Sequence, residues 1–258
     1  MTADPWSPEQ YARFQRERSQ AFFDLLALVH PQPAMRVVDL GCGTGELARL
    51  LHRRLGARET LGIDASASML AASAAFAGDG LRFERGDIGD FAASRAYDLV
   101  FSNAALQWVA EHEQLLDRLT GALADGGQLA IQVPANHDHP SQTVAAEVAS
   151  ESPFREALAG YARHGKAVLE PEEYAVLLDR LGYQEQHVRL QVYGHRLESR
   201  DEVVEWTRGT LLTDYQRRLP ADLFARFLER YRARLLPRLE DTRPYFFPFK
   251  RILFWARQ

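Results

Sequence analysis

The junction that most constrains this chain lies near residue 40. There Met35-Arg36-Val37-Val38-Asp39-Leu40 runs into Gly41-Cys42-Gly43-Thr44-Gly45 and then into Glu46-Leu47-Ala48-Arg49-Leu50. The apolar run predicts a short buried strand, and residues 46–54 a helix. The alternate glycines let the backbone turn sharply between them, and let a ligand approach it closely at the carboxyl end of the strand. The unit recurs downstream, with strands predicted at 60–63, 81–85, 97–102 and 128–133 and helices at 66–76 and 111–123. Strands alternating with helices of about ten residues imply an α/β, doubly wound, mostly parallel sheet covered on both faces.

The regularity breaks after Pro134. Residues 137–140 read as an exposed loop, and a clean amphipathic helix resumes only at 171–181. Residues 185–196 alternate as a strand does, two Arg/Glu-rich helices follow at 200–211 and 220–236, and 246–256 forms a last apolar strand. Upstream, Tyr11, Phe14, Ala21, Phe22, Leu25 and Leu26 fall at near-helical spacing behind Ser7-Pro8, a helix start signal. The expected organisation is a sheet core over 31–135, 171–196 and 245–258. A helical lid would comprise 1–30, 136–170 and 197–244.

The loop chemistry narrows the ligand. A dinucleotide fingerprint needs G-x-G-x-x-G with a pyrophosphate at the helix N-terminus. Here the third glycine comes one residue early, and Glu46 places a negative charge where a phosphate would sit. That disfavours a nicotinamide dinucleotide and suits a cationic or zwitterionic ligand. Asp64 ends the second strand, about 20 residues past the loop, where a carboxylate can take both hydroxyls of a ribose. Asp87 ends the third, where it can accept from an exocyclic adenine amine while Ile88 contacts the ring. Each acid alone reads equally well as a turn or cap residue; Asp39, Asp64 and Asp87 together, at successive strand ends around one glycine loop, point to a ligand.

Charge and composition exclude several classes. Lys+Arg of 31 against Asp+Glu of 35 gives a net charge of −4, without the basic excess of a dedicated nucleic-acid binder. Residues 1–140 hold 12 basic and 18 acidic side chains, and 141–258 hold 19 and 17. Cys42 is the single cysteine, so an intrachain disulfide and a cysteine-based zinc site are excluded. Residues 1–6 lack the basic and apolar regions of a signal peptide, and no apolar run approaches the roughly 20 residues of a membrane span. A soluble cytoplasmic protein is expected, with no nucleic-acid or membrane partner. His137 and His139 flank Asp138 in a loop without further ligands nearby, so no metal is expected.

The motif series in 37–45, Gly62-Ile63-Asp64, Gly86-Asp87-Ile88 and 103–108 resembles that of class I S-adenosylmethionine-dependent methyltransferases, a Rossmann-like fold with a seven-stranded sheet. The resemblance implies that S-adenosylmethionine is the cofactor and S-adenosylhomocysteine its product. It implies that the Gly41–Gly45 loop holds the methionine moiety, with Asp39, Gly41, Cys42 and Gly43 among the cofactor-binding residues, that Asp64 holds the ribose with Ala65 and Met69 beside it, and that Asp87 and Ile88 meet the adenine. Asn103 and Leu106 would sit near the sulfonium.

More of the chain is similar to the trans-aconitate methyltransferase family: Tyr11-x-x-Phe14-x-x-Glu17-Arg18-Ser19, Asn103-Ala104-Ala105-Leu106-Gln107-Trp108-Val109, Trp206-Thr207-Arg208-Gly209-Thr210 and Phe247-Pro248-Phe249-Lys250-Arg251-Ile252-Leu253-Phe254. The implied activity is methylation of a carboxylate of a small polyacid. Asn103, Gln107, Trp108, Tyr11 and Arg208 would serve the transfer, Trp206, Arg208, Thr210 and His195 the acceptor, and Arg18 and Tyr11 would close over the cofactor.

Blander readings stand beside these. Arg18 can pair with Glu17 or Asp24, Trp108 and Trp206 can be core aromatics, and His195 an ordinary strand-end histidine. Cys42 reads as a small packed residue, and the arginines of 226–238 as a solvated, salt-bridged helix face. Alternative functions are methyl transfer to another small acid or secondary metabolite, or cofactor binding without transfer.

Overall fold

Strand β1 (Arg36–Leu40) is buried at its last four positions, so its apolar run needs no polar alternation. It lies between β2 (Glu59–Asp64) and β4 (Tyr97–Asn103), parallel to both, with Asp39 level with Gly62 on one side and Phe101 on the other. Strand β3 (Leu81–Arg85) continues the parallel sheet beyond β2, and β5 (Leu123–Pro134) beyond β4. Strand β7 (Tyr245–Arg257) runs back antiparallel to β5, placing Ile131 opposite Phe254 and Pro134 opposite Arg251. With β6 (Glu185–Leu197) at the edge, the order is β3-β2-β1-β4-β5-β7-β6. The expected Rossmann-like, mostly parallel seven-stranded sheet is therefore present.

This computed structural model describes residues 15–161 and 168–258. Its helices are α1 (Gln15–Leu26), α2 (Glu46–Leu55), α3 (Ala67–Ser73), α4 (His112–Gly121) and α5 (Pro140–Ala149). They continue with α6 (Phe154–Ala157), α7 (Pro171–Arg180), α8 (Asp201–Arg208), α9 (Leu211–Arg218) and α10 (Ala221–Leu235). The described chain divides into a sheet unit, 15–135 with 168–191 and 250–258, and a second unit, 136–161 with 192–249. Among the described residues no helix is long and apolar enough to cross a membrane.

In the sheet unit, α2 buries Ala48, Leu51, His52 and Leu55, the i, i+3, i+4, i+7 stripe of an amphipathic helix. It stops at Gly56, whose positive φ of 55° lets Ala57 donate back to the His52 carbonyl at 3.1 Å. Residues 15–30, expected in the lid, belong to the sheet unit instead. The cause is the stripe Ala21, Phe22, Leu25 and Val29, all buried, with the Phe22 ring edge-on to Phe101 of β4 at 5.5 Å. Gln128 of β5 fastens the end of that segment. Its fully buried carboxamide accepts from the His30 N–H at 2.9 Å and the Trp255 indole at 2.8 Å, and donates to the His30 carbonyl at 2.7 Å.

The second unit has an aromatic core in which Trp206, Tyr215, Phe227, Tyr231 and Phe247 are fully buried. The expected loop at 137–140 becomes a helix start, because His139 Nδ1 accepts the Ser141 N–H at 3.1 Å and Pro140 opens α5. Residues 200–236 form three helices rather than the expected two, since α8 ends at Arg208 and α9 starts after Thr210. The arginine-rich face is salt-bridged as expected: Arg238 forks Glu147 with two bonds of 2.7 Å, Arg230 and Arg234 share Glu151, and Arg232 meets Asp201. These exposed pairs each contribute at most about 1 kcal/mol.

Replacing Gln128 by Ala strips partners from the His30 backbone and from the buried Trp255 indole, and is expected to cost about 1–3 kcal/mol. Urea unfolding checks this, and a loss below half a kilocalorie would show that the clamp carries no weight.

Candidate functional site

The glycine loop owes its composition to different causes at each position. Gly41 has φ of +81°, and a Cβ there would lie 2.1 Å from the Cβ of Ala105. Gly45 has φ of +80°, and its Cβ would meet Phe83 and Ser73 at 2.7 Å. Both are glycine because neighbours occupy the space. Gly43, at φ +56°, has no neighbour within 4 Å of its Cβ direction, so here the missing side chain leaves an open face that a ligand can approach.

Asp64 holds that face in place. Its Oδ2 accepts the Gly43 N–H at 2.9 Å and its Oδ1 the Ser66 N–H at 2.8 Å, so one carboxylate ties the loop after β1 to the turn after β2. A carboxylate oxygen can accept more than one hydrogen bond, so this anchoring leaves the group suited to a vicinal diol. Ser66 in turn accepts the Met69 N–H at 3.2 Å and caps α3. Ala65 is exposed on the turn, and Met69 is buried below it. Asp87 is exposed, its Oδ1 accepting the Gly89 N–H at 2.8 Å. Half-buried Ile88 brings its Cδ1 within 3.6 Å of the Gly41 Cβ direction, so the third strand end borders the first.

Asp39 is buried, and its carboxyl is pushed up to about 7 by that burial, with the charge of Asp64 adding to it. Cys42 turns its side chain inward against Ala48 and Leu81, and its N–H is taken by the Ile63 carbonyl at 3.0 Å. The expected cofactor contact therefore cannot come from the thiol, whose pKa burial pushes up, with Asp39 and Asp64 reinforcing the effect. It stays protonated and inert.

Strand β4 delivers Asn103 and then a tight turn. Ala104 sits at φ +58°, a left-handed conformation that costs a non-glycine residue about 1 kcal/mol, with its N–H held by the Gln132 carbonyl at 2.9 Å. Ala105 packs beneath Gly41, Leu106 is buried, Gln107 donates to the Ala104 carbonyl at 2.7 Å, and Trp108 is 36% exposed. The Oδ1 of Asn103 is buried with no hydrogen-bond partner among the described residues. Sequence reasoning missed the support of this turn. His112 Nε2 donates to the Leu106 carbonyl at 2.9 Å, and its Nδ1 accepts from the Tyr174 hydroxyl at 2.6 Å. Burial lowers the His112 pKa, so the ring is neutral and fits that tautomer. Nothing local in the sequence marks a pair 62 positions apart.

The sheet unit thus gathers Asp39, Gly41, Gly43, Asp64, Asp87, Ile88 and Asn103 at one end of adjacent strands. An open cradle at Gly43, an anchored carboxylate at Asp64 and a buried acceptor at Asn103 fit an adenosyl cofactor with a zwitterionic amino-acid tail on a sulfonium.

The remaining candidates lie in the second unit or outside the description. Trp206 is 2% exposed in the aromatic core, 4.9 Å from the His195 ring and about 5.5 Å from Phe247 and Phe249. Its indole lies in the aromatic core, and His195 is buried beside it. Arg208 has a side chain 48% exposed, 3.7 Å from Glu205. The Thr210 hydroxyl donates to the Trp206 carbonyl at 3.0 Å. Tyr11 and the side chain of Arg18 lie outside the described residues. Among the described residues no three His, Cys, Asp or Glu side chains gather as metal ligands.

Residues 37–127 match a family described as methyltransferase domain. The chain is 44% identical to a trans-aconitate 2-methyltransferase of Deinococcus radiodurans over 97% of each chain. It is 38% identical to one of a Mycobacterium species over 98% of this chain and 99% of the other. Among solved structures, YcgJ of Bacillus subtilis superposes with a TM-score of 0.62 at 15% identity, covering 93% of this chain and 98% of that one. An S-adenosylmethionine-dependent methyltransferase of Mesorhizobium loti gives 0.52 at 23%, with 92% and 97% covered.

Asp39 yields a prediction in the ligand-free protein. With a native value near 7 and an unfolded one near 4, the native state holds the proton more tightly. This group's contribution to stability is therefore complete at acid pH and lost as pH rises from about 4 through about 7. Asp39→Asn removes that loss, and should gain up to about 4 kcal/mol on the unsubstituted protein between pH 4 and pH 8 in urea unfolding. Parallel stability curves would refute the buried titration.

Proposed function

The chain belongs to the trans-aconitate 2-methyltransferase family of S-adenosylmethionine-dependent enzymes, and from that premise we propose that it transfers a methyl group to a carboxylate of trans-aconitate. The Asp64 bridge between the Gly43 and Ser66 N–H groups carries the cofactor half of this reading, because it builds a diol acceptor beside an open glycine.

When bound, S-adenosylmethionine supplies an electrophilic methyl on a sulfonium. The residues proposed to hold it are Asp39, Gly41, Gly43 and the Cys42 backbone for the amino-acid tail, Asp64 with Ala65 and Met69 for the ribose, and Asp87 with Ile88 for the adenine. Asn103 and Leu106 stand at the strand end next to the loop.

A carboxylate acceptor is already ionised at pH 7, so the chain needs no general base. Its residues have to align an acceptor oxygen with the methyl, exclude water and repay the desolvation of an anion with donors or cations. Asn103, Gln107 and Trp108 on the turn after β4 are proposed for alignment. Arg208 is proposed as a cation for the acceptor, with Thr210, His195 and Trp206 supporting the helix end that carries it; Tyr11 and Arg18 are proposed to cover the cofactor. A small anionic partner and a cytoplasmic setting complete the reading.

Asp64→Ala is expected to weaken S-adenosylhomocysteine binding by about 1–3 kcal/mol in calorimetry, since it removes the diol acceptor and the loop anchor together. Unchanged affinity would count against the ribose assignment. A panel of tricarboxylates, dicarboxylates, alcohols, amines and thiols tests the acceptor: turnover confined to the last three classes would sink the carboxylate reading. Arg208→Ala should raise the acceptor KM and leave S-adenosylhomocysteine affinity unchanged; equal loss of both would return Arg208 to a structural role.

A further inference from the structure

Two buried polar side chains hold the turn after β4 from behind. His112, the first residue of α4, is 3% exposed, and Tyr174 of α7 is wholly buried with its ring stacked on Phe254 at 4.5 Å. Leu106 of the turn and Tyr174 belong to one apolar cluster, with Leu115, Leu116 and Leu177 around them. Glu111 takes a left-handed φ of 55° between the turn and α4, and the bend sets the His112 ring against the Leu106 carbonyl.

The bonds run in one direction. A carbonyl only accepts, so His112 Nε2 carries the proton and donates to Leu106 at 2.9 Å. In the neutral ring Nδ1 is then an acceptor, and it takes the Tyr174 O–H at 2.6 Å. The Tyr174 oxygen in turn accepts the Leu169 N–H at 3.4 Å. Every polar atom of the two side chains is thereby matched, and each bond fixes the sense of the next.

Stability alone does not call for this pair, since two apolar side chains of the same shape can fill such a place with little loss. What the pair adds is direction. The Leu106 carbonyl, which also accepts the Val109 N–H at 2.9 Å, is pinned at the head of the turn over 106–108. On one side of it Ala105 packs against Gly41 of the glycine loop, and on the other Gln107 and Trp108 follow.

We propose that His112 and Tyr174 are positioning residues for methyl transfer: their relay, from the Leu169 N–H to the Leu106 carbonyl, holds the turn over 103–108 in the one setting against the glycine loop from which Asn103, Gln107 and Trp108 align the acceptor. The assignment rests on the reading above that this turn aligns the acceptor. Both side chains act through the Leu106 carbonyl.

The test combines steady-state kinetics with trans-aconitate, calorimetry of S-adenosylhomocysteine and amide hydrogen exchange of the ligand-free protein, for Tyr174→Phe, His112→Leu and His112→Gln. Tyr174→Phe keeps the ring on Phe254 and removes the hydroxyl of the relay; it should lower kcat at least fivefold and keep S-adenosylhomocysteine affinity within threefold. His112→Leu should lower kcat at least tenfold, and His112→Gln, whose amide can donate where Nε2 does, should recover part of the loss. In Tyr174→Phe and His112→Leu the exchange of the Trp108 and Val109 amides should accelerate at least tenfold more than that of the β1 amides. If His112→Leu does not fold, the other two variants carry the test with the same criteria. An unchanged kcat in the folded variants, or exchange accelerated equally throughout the chain, overturns the relay. Asn103→Ala and Gln107→Ala separate it from the reading beneath it. An unchanged kcat in both removes the turn from alignment and the relay with it, whereas a kcat lowered in them and kept in Tyr174→Phe and His112→Leu removes the relay alone. A wild type that turns over no trans-aconitate overturns the acceptor reading, and the exchange pattern then decides for or against the relay.

Discussion

The carboxylate of Asp64 is the contact on which the sheet unit's chemistry depends. Two backbone N–H groups, from Gly43 and Ser66, converge on its two oxygens, so the loop after β1 and the turn after β2 cannot move independently. Charge-assisted bonds of this kind are about twice as strong as neutral ones. Through Ser66 the same turn caps α3, and through Gly43 it sets the open part of the glycine loop. A single acidic side chain therefore fixes the loop after β1 and the turn after β2 together.

The electrostatics of the strand ends point the same way. Burial, reinforced by the nearby charge of Asp64, pushes the Asp39 carboxyl up to about 7. Such an arrangement resists a further anion and relaxes when a cation arrives. An amino-acid tail with an ammonium, next to a sulfonium, is that kind of ligand. The acceptor poses the opposite problem, since an anion removed from water must be met by fixed donors.

The parts of this site built from short sequence spans were legible beforehand. Glycines at 41, 43 and 45, acids ending β1 and β2, and Asp87 beyond β3 follow from strand-turn-helix grammar, and the structure places each of them at the expected strand end. What escaped were contacts set by register. Gln132 and Arg251 meet because β5 and β7 are antiparallel neighbours, and His112 reaches Tyr174 because α4 and α7 belong to one unit. A basic residue inside the apolar run 247–256 was the visible signal for Arg251. Amphipathicity misplaced residues 15–30 for a related reason, because a helical stripe announces that it will be buried without saying against which surface. Trp206 lies in neither class: the family motif drew attention to it, and the structure buries it in the aromatic core.

Gly41 and Ala105 carry a lesson for anyone recombining such enzymes. With 2.1 Å between the Ala105 Cβ and the atom that glycine lacks, the loop at 41–45 and the turn at 103–108 behave like a key and its ward, cut to one clearance. A turn transplanted from a relative with a bulkier residue at 105 would push against the glycine backbone and shift the cradle with it. Grafts of either segment should therefore exchange the two as one cassette, and libraries that randomise 103–108 should hold position 105 small.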